Sequence, residues 1–583
     1  MERAVTVDLA PPAHPLPTDR TQMRRHYGWD ALDILLITGD AYVDHPAFGV
    51  AVIARVLQAE GWRVGVVAQP QSPDDCARMG RPRLFAGITA GNMDSMLNRY
   101  TAARKPRSED RYSPGGIPGL RPERATIAYT TMVKQAFKHL PTVIGGIEAS
   151  LRRFVHYDHW QRKLRRSILA DSKADLLVFG MGERQIRAIA HALAAEAAPD
   201  DLHDLPGVCY ATTADAVDDT ALVLPGWDPL RSAPQTFAHC HELIRREQDP
   251  QRGRRLIQDQ GWCRVVQNPP AAPLSTAELD AVHALPFTRA AHPDHANAGV
   301  PALATVLDSI QTHRGCVGSC AFCAIAAHQG RILSHRSRDG IIAEVTALTH
   351  RPGFDGVVDD LGAPTANMYA ARCERWRTHG ACAERDCLWP EPCPQLTLGT
   401  EEHRALLRAA CAIPAIKRVF IQSGLRHDLL LAQGPEFLRE LLAHHTCGTF
   451  KVAPEHADDA VLALMRKPSW QVFRAFLTAF QQARRACGSR TRLRPYLIAG
   501  HPGADTAAAQ RTAAALHAAR VDCDLVQEFT PTPMTEATAM LVAGSDPRSG
   551  APVHVTKGEA TVRAQKAAML AADDRRGRRR GRP

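Results

Sequence analysis

No run of apolar residues in this 583-residue chain approaches the roughly 18 that a membrane-spanning helix needs. The opening MERAVTVDLAPPAHPLPTDR puts proline and charge where a secretory signal needs an apolar core. The chain is therefore expected to be soluble and cytoplasmic, with no membrane partner. There is no P-loop and no nucleophile elbow, which removes the usual phosphate-loop and serine-hydrolase chemistries. No G-x-G-x-x-G opens a helix after the first strand, so a dinucleotide fingerprint is missing. The 26 histidines form no convincing paired-ligand helix; His444 and His445 are adjacent and face different directions. The 15 cysteines are odd in number and accompany no export signal, which argues against a disulfide framework.

What is present is ordinary globular composition, 45% hydrophobic and 23% charged, at a length that suits two or three domains. The net charge is +10, but six arginines fall in the last nine residues, RRGRRRGRP, so the body is only mildly basic. That tail gives nucleic acid weak support as a partner.

Strand-like segments LDILLITG (32–39), RVGVVAQP (63–70), LFAGIT (84–89), TVIGGIE (142–148) and ADLLVFG (174–180) alternate with helical stretches such as 47–61. This alternation predicts a doubly wound parallel sheet with ligand-binding loops at the strands' carboxyl ends. A second series begins near 299. Its strands are expected in 305–312, 356–362, 418–424, 449–455, 494–500 and 525–531, with helices over 339–350, 401–410, 435–445, 457–466, 470–487 and 505–519. Six parallel strands with crossovers predict a (β/α)6 partial TIM barrel. The domain division is then a flexible leader (1–30), a sheet domain (31–200), a connector (201–298), a barrel core (299–570) and a disordered Arg-rich tail (571–583).

Seven of the 15 cysteines lie between Cys316 and Cys393. Cys316, Cys320 and Cys323 sit at C-x-x-x-C-x-x-C spacing in THRGCVGSCAFC, directly after the first strand of the second series. Soft thiolates suit iron–sulfur clusters or zinc. Three ligands, where a ferredoxin-type [4Fe–4S] site uses four, leave one iron open. Cys373, Cys382, Cys387 and Cys393 form a second group, a candidate auxiliary cluster or zinc site. The remaining cysteines are expected to be structural.

The first cysteine motif, with Phe322 before the last thiol, resembles the signature of radical S-adenosylmethionine (SAM) enzymes. GIEASLRR (146–153), VVQNPPAAPLSTAELD (265–280), LPFTRAAHP (285–293), LGAPTANMY (361–369) and VAPEHADDAVLALMRKP (452–468) resemble, more narrowly, the YgiQ family of that superfamily. The resemblance implies a [4Fe–4S] cluster on Cys316, Cys320 and Cys323, SAM as cofactor, and reductive cleavage of SAM to a 5′-deoxyadenosyl radical. It also implies a one-electron donor such as flavodoxin or ferredoxin. Secondary SAM contacts are implied at Asp359, Asp360 and Gly362, at Ser423 and Arg426, at Glu455, and at Gly500. The N-terminal sheet resembles cobalamin-binding domains, yet D-x-H-x-x-G is absent: Asp44 and His45 are adjacent and Gly49 is four residues further on. Base-off cobalamin is therefore not expected. Two other readings stay open, a non-catalytic iron–sulfur electron-transfer or regulatory protein and an RNA-modifying methylthiotransferase-like enzyme. Substrate and catalytic residues are unknown at this stage.

Overall fold

The structure, a computed structural model, describes residues 14–214 and 220–580. Residues 1–13 of the expected leader and 581–583 of the expected tail lie outside them.

The N-terminal half is a nine-stranded sheet. Its strands in chain order are β1 (Ile34–Thr38), β2 (Val64–Ala68), β3 (Phe85–Thr89), β4 (Thr142–Gly145), β5 (Leu176–Val178), β6 (Val208–Thr212), β7 (Leu222–Leu224), β8 (Leu256–Asp259) and β9 (Arg264–Gln267). Their spatial order is β7-β8-β9-β6-β5-β4-β3-β1-β2. The five strands expected from the sequence pair in parallel, with Ile34 opposite Val64 on one side and Phe85 on the other. All five residues of β1 are buried, which explains its unbroken apolar run: helices cover both faces of a parallel sheet.

The expected connector is not one. Strands β6, β8 and β9 extend the sheet in antiparallel fashion beyond β5, and β7 closes its edge beside β8. The prolines that suggested an extended crossing fall just after β9, and the segment ends in a helix, Thr276–His283, capped reciprocally by Ser275 and Glu278. The leader is also partly built in. Asp19 caps a helix at Arg20–Tyr27, and its Met23 is fully buried in the sheet's core.

The second half follows the expected barrel order. Strand β10 (Ser309–Gln311) pairs with β12 (Asp360–Gly362), and β11 (Val357–Val358) with β13 (Arg418–Val419). Strands β14 (Thr449–Glu455), β15 (Arg492–Ala499) and β16 (Val526–Glu528) pair side by side. All these pairings are parallel. The gap between β13 and β14 is spanned by the Leu425–Val452 bridge and by Ile421 N–H donating to His445 O at 3.0 Å. Phe473, Phe476 and Phe480 recur at helical spacing on Trp470–Ala486 and bury one face of that helix in the barrel's core. The expected disordered tail is helical through Arg580: the helix Glu559–Arg580 is anchored by Met569 in the core and by buried Gln565. Among the described residues, no helix is long and apolar enough to cross a membrane.

Candidate functional site

After β10, His313–Arg314 pairs with Ser334–His335 and closes the base of a loop that carries the first three cysteines. Gly315 turns the chain at φ +88°, and a Cβ there would stand 2.7 Å from Ile332 O; only glycine suits that place. Cys316 N–H donates to Gly330 O, Ala321 N–H to Met465 O and Ala537 N–H to Ala321 O, so distant segments pin the loop. Phe322 meets His501 edge-on at 6.0 Å, and His501 in turn meets Phe529 at 5.3 Å. The motif's aromatic residue thus forms part of an apolar wall beside the thiols.

Cys316, Cys320 and Cys323 are half-buried and free of disulfides. Burial pushes the Cys323 thiol up to about 12 and raises that of Cys316 as well. One cation stands against the group: Arg426 Nη1 is 3.5 Å from Cys320 Sγ. Burial opposes the charge on Arg426, but Asp428, 2.6 Å away, and the neighbouring sulfurs hold it protonated. A Cβ on Gly318 would lie 3.0 Å from Arg426 Nη1 and 3.2 Å from Cys316 Sγ; the bare backbone leaves that space open between sulfur and guanidinium. Among the described residues, no group of three or more His, Cys, Asp or Glu is set to hold a single metal ion. A cubane cluster binds each thiolate to a different iron and so takes sulfurs set wider apart. Three thiols on one loop, with a cation beside them and a glycine between, fit such a cluster.

The expected SAM contacts divide. Asp360, which opens β12, accepts from Gln422 N–H (2.8 Å), Ser423 N–H (3.1 Å) and the Ser423 hydroxyl, tying β12 to the segment after β13. Burial raises its carboxyl, opposed by those hydrogen bonds and by Lys451. Glu455 is buried near Arg426 and Lys467. Asp360 and Ser423 are thus joined by hydrogen bonds, and Glu455 feels the charge of Arg426. Burial raises the carboxyl of Asp359, and the charges of Asp308, Asp355 and Asp360 add to the rise. The Gly362 carbonyl is taken by Thr312. Gly500 is covered by the C-terminal helix: its N–H donates to Gln565 at 2.9 Å, and Val562 fills the space beside its Cα. Arg426 reaches the cysteine loop at Cys320.

The two halves meet over an open cleft of about 400 Å³ at the carboxyl ends of the sheet. Strands β2 and β3 lie on opposite sides of β1 there, the switch point where such sheets take ligands. Gly91, Gly146 and Gly180 line one side and Arg314 and His328 the other. Arg314 pairs with buried Glu183 across the interface, and His328 Nδ1 lies 3.0 Å from the Ser150 hydroxyl. The sequence pattern had not singled out Arg314 or His328 for a role; the only signal was their nearness to the cysteines. The conspicuous GIEASLRR string is largely scaffold. Glu148 accepts from Ser95 N–H (2.7 Å) and Thr126 N–H (3.0 Å), and Arg153 donates to Gln267 and Gln248. The second cysteine group lies in one loop, closed at its base by the Arg372–Thr397 bridge.

A family model described as Radical SAM N-terminal matches residues 15–309. A UPF0313 protein of Geobacter sulfurreducens is 45% identical over 558 residues, covering 95% of this chain and 92% of that one. Another, of Methanocella arvoryzae, is 42% identical over 532 residues, covering 91% and 88%. Among solved structures, the radical SAM methyltransferase TsrM from Kitasatospora setae, with cobalamin and a [4Fe–4S] cluster bound, overlaps at TM-score 0.49 and 15% identity, covering 86% of this chain and 77% of that one. The cobalamin-dependent SAM radical enzyme OxsB, with aqua-cobalamin and SAM bound, overlaps at 0.47 and 10%, covering 94% and 56%. Overlaps this loose transfer nothing of those proteins' ligands or reactions to this chain.

Proposed function

The chain belongs to the UPF0313 family of radical SAM enzymes, and from that premise we propose that Cys316, Cys320 and Cys323 carry its [4Fe–4S] cluster and that SAM binds at the barrel mouth beside them. The observation that carries this reading is the pinned three-thiol loop with Gly318 and Arg426 between its sulfurs. When bound, the cluster supplies the electron that splits SAM into methionine and a 5′-deoxyadenosyl radical.

This chain's own residues prepare the site. Cys316, Cys320 and Cys323 would supply three thiolates where a ferredoxin-type site supplies four, leaving one iron of the cluster for SAM. The thiols must lose protons to bind iron, and Arg426, kept charged by Asp428, offsets the negative charge that results. Asp360 keeps a lone pair beyond its three hydrogen bonds, a fit for the ammonium group of SAM. Phe322, His501 and Phe529 exclude water on one side. The cleft is read as making no histidine-ligated cobalamin site. His45 Nδ1 accepts from Ala47 N–H at 3.0 Å, its Nε2 lies 3.0 Å from Arg289, and Asp44 is paired with Arg55. A reducing cytoplasm suits 15 cysteines of which none forms a disulfide, and a low-potential flavodoxin or ferredoxin suits the electron demand. The Arg-rich tail alone does not carry a nucleic-acid substrate.

The test is anaerobic reconstitution with iron and sulfide, reduction, and assay of 5′-deoxyadenosine after adding SAM. The expected result is formation that Cys320→Ala abolishes; formation that survives the substitution overturns the ligand assignment.

A further inference from the structure

Residues 373–396 leave the barrel after β12 and return through the paired backbones of Arg372 and Thr397, which exchange hydrogen bonds of 2.9 Å. Within the excursion the only helical turn is Arg375–Thr378. So long an irregular segment inside a compact fold needs something to order it. Part of the answer is external. Asp386 pairs with Arg331 (3.3 Å) and Arg548 (2.6 Å), Ala381 N–H donates to Asp249, and Arg466 lies over the Trp389 ring at 4.9 Å. None of these contacts engages the four cysteines, which are all half-buried and free. Cys393 N–H donates to Cys387 O at 2.7 Å, turning one thiol-bearing segment back on the other.

The loop also adjoins the first site. Cys373, Cys387 and Cys316 pack against one apolar cluster that includes Val317, Met368 and Leu429. A cavity of about 80 Å³ has Cys320 and Cys323 in its wall together with Asp386, the residue before Cys387.

We propose that Cys373, Cys382, Cys387 and Cys393 bind a second [4Fe–4S] cluster. Thiolates are soft ligands that suit iron–sulfur or zinc. Zinc would draw four sulfurs to within about 2.3 Å of one point, and these four are not set around a single ion. The first cysteine group is set in the same open way. With four protein thiolates, every iron is occupied, so this cluster takes neither SAM nor substrate. That separates it from an auxiliary cluster with an open iron, which a methylthiotransferase-like reaction would use.

The test isolates the second group. The full chain carrying Cys316→Ala, Cys320→Ala and Cys323→Ala is reconstituted anaerobically, and iron, sulfide and zinc per chain are measured with electron paramagnetic resonance after dithionite reduction. About four irons and four sulfides with a reduced-cluster signal are expected, both lost on adding Cys382→Ala and Cys387→Ala. A folded triple variant that binds no iron, or one zinc without sulfide, overturns the proposal. Should the triple variant not fold, Cys382→Ala with Cys387→Ala in the otherwise intact chain is expected to lower iron from about eight to about four; unchanged iron overturns it. Failure at the first site registers separately, as a triple variant with as much iron as the unaltered chain.

Discussion

Asp44, on the N-terminal half, is fully buried against Arg55, which donates to its carboxylate through two nitrogens, and it also accepts from Thr288 N–H at 3.0 Å. Cys320, on the barrel half, meets only the Gly318 carbonyl at 3.9 Å and the Arg426 guanidinium at 3.5 Å. Both residues lie just beyond the carboxyl ends of strands, where α/β folds place chemistry, Asp44 in a two-residue strand paired with Ala290–Ala291 and Cys320 in a loop. One is satisfied by its own fold and the other is not. The same contrast runs through Glu148, whose two oxygens are both engaged, and Ser319, whose hydroxyl is buried without a partner beside the thiols. A buried polar group with every hydrogen bond made supports the scaffold; one left wanting points to a ligand.

The sharpest way to break this comparison is to remove one member from each half in cluster-free protein. Arg55→Met leaves the Asp44 carboxylate buried and unpaired, and is expected to cost about 3–5 kcal/mol in urea denaturation. Cys320→Ala removes a half-buried thiol with weak contacts, and is expected to cost about 1 kcal/mol or less while abolishing SAM cleavage in the reconstituted enzyme. Equal destabilisation by the two would sink the distinction.

The same contrast explains what could be read from the chain in advance. The apolar runs of β1 to β5 and the amphipathic helices of the barrel lie where periodicity put them, because burial on one or both faces imposes the period directly. The helix expected over 505–519 is observed at Thr506–Ala519. The three-thiol loop was legible because its chemistry demands residue types at fixed spacing. Strands β6, β8 and β9 were not: each is four or five residues long; β8 and β9 pair as a local hairpin, but what joins them to the sheet is β6, whose partners lie tens of residues away on either side, so tertiary pairing fixes their place. The surroundings of Asp359 and Gly500 were not legible for a related reason. Position at a strand end is visible in sequence, whereas the face a side chain takes and the packing of a distant C-terminal helix are not.

The interface between the halves tests whether the comparison extends to their junction. Arg314 and Glu183 are 5% and 2% exposed and belong to different halves. One Glu183 oxygen remains without a hydrogen bond, so this junction is scaffold only in part. A double-mutant cycle with Glu183→Gln and Arg314→Met is expected to give a coupling of about 0.5–3 kcal/mol in stability. A coupling within error of zero would mean that the halves are held by apolar contact alone.

The smallest expected effect concerns histidine. His403 is fully buried between Phe437 and Tyr369, and neither ring nitrogen has a partner. Burial lowers its pKa from 6.5 to about 3. The folded state therefore holds the neutral ring where the unfolded chain takes up a proton. Stability from this group is complete above pH 6.5 and is lost as pH falls from 6.5 toward 3. One such proton corresponds to about 1.4 kcal/mol per pH unit. His427 and His501 are lowered in the same way, each to about 3, so the unaltered chain should lose stability with a slope of more than one proton. His403→Leu fills the site with an apolar side chain and is expected to reduce that slope by about one proton between pH 6 and pH 5. Urea midpoints across that range measure it. Parallel slopes for the two proteins would mean that His403 gains a proton or a partner in the folded state.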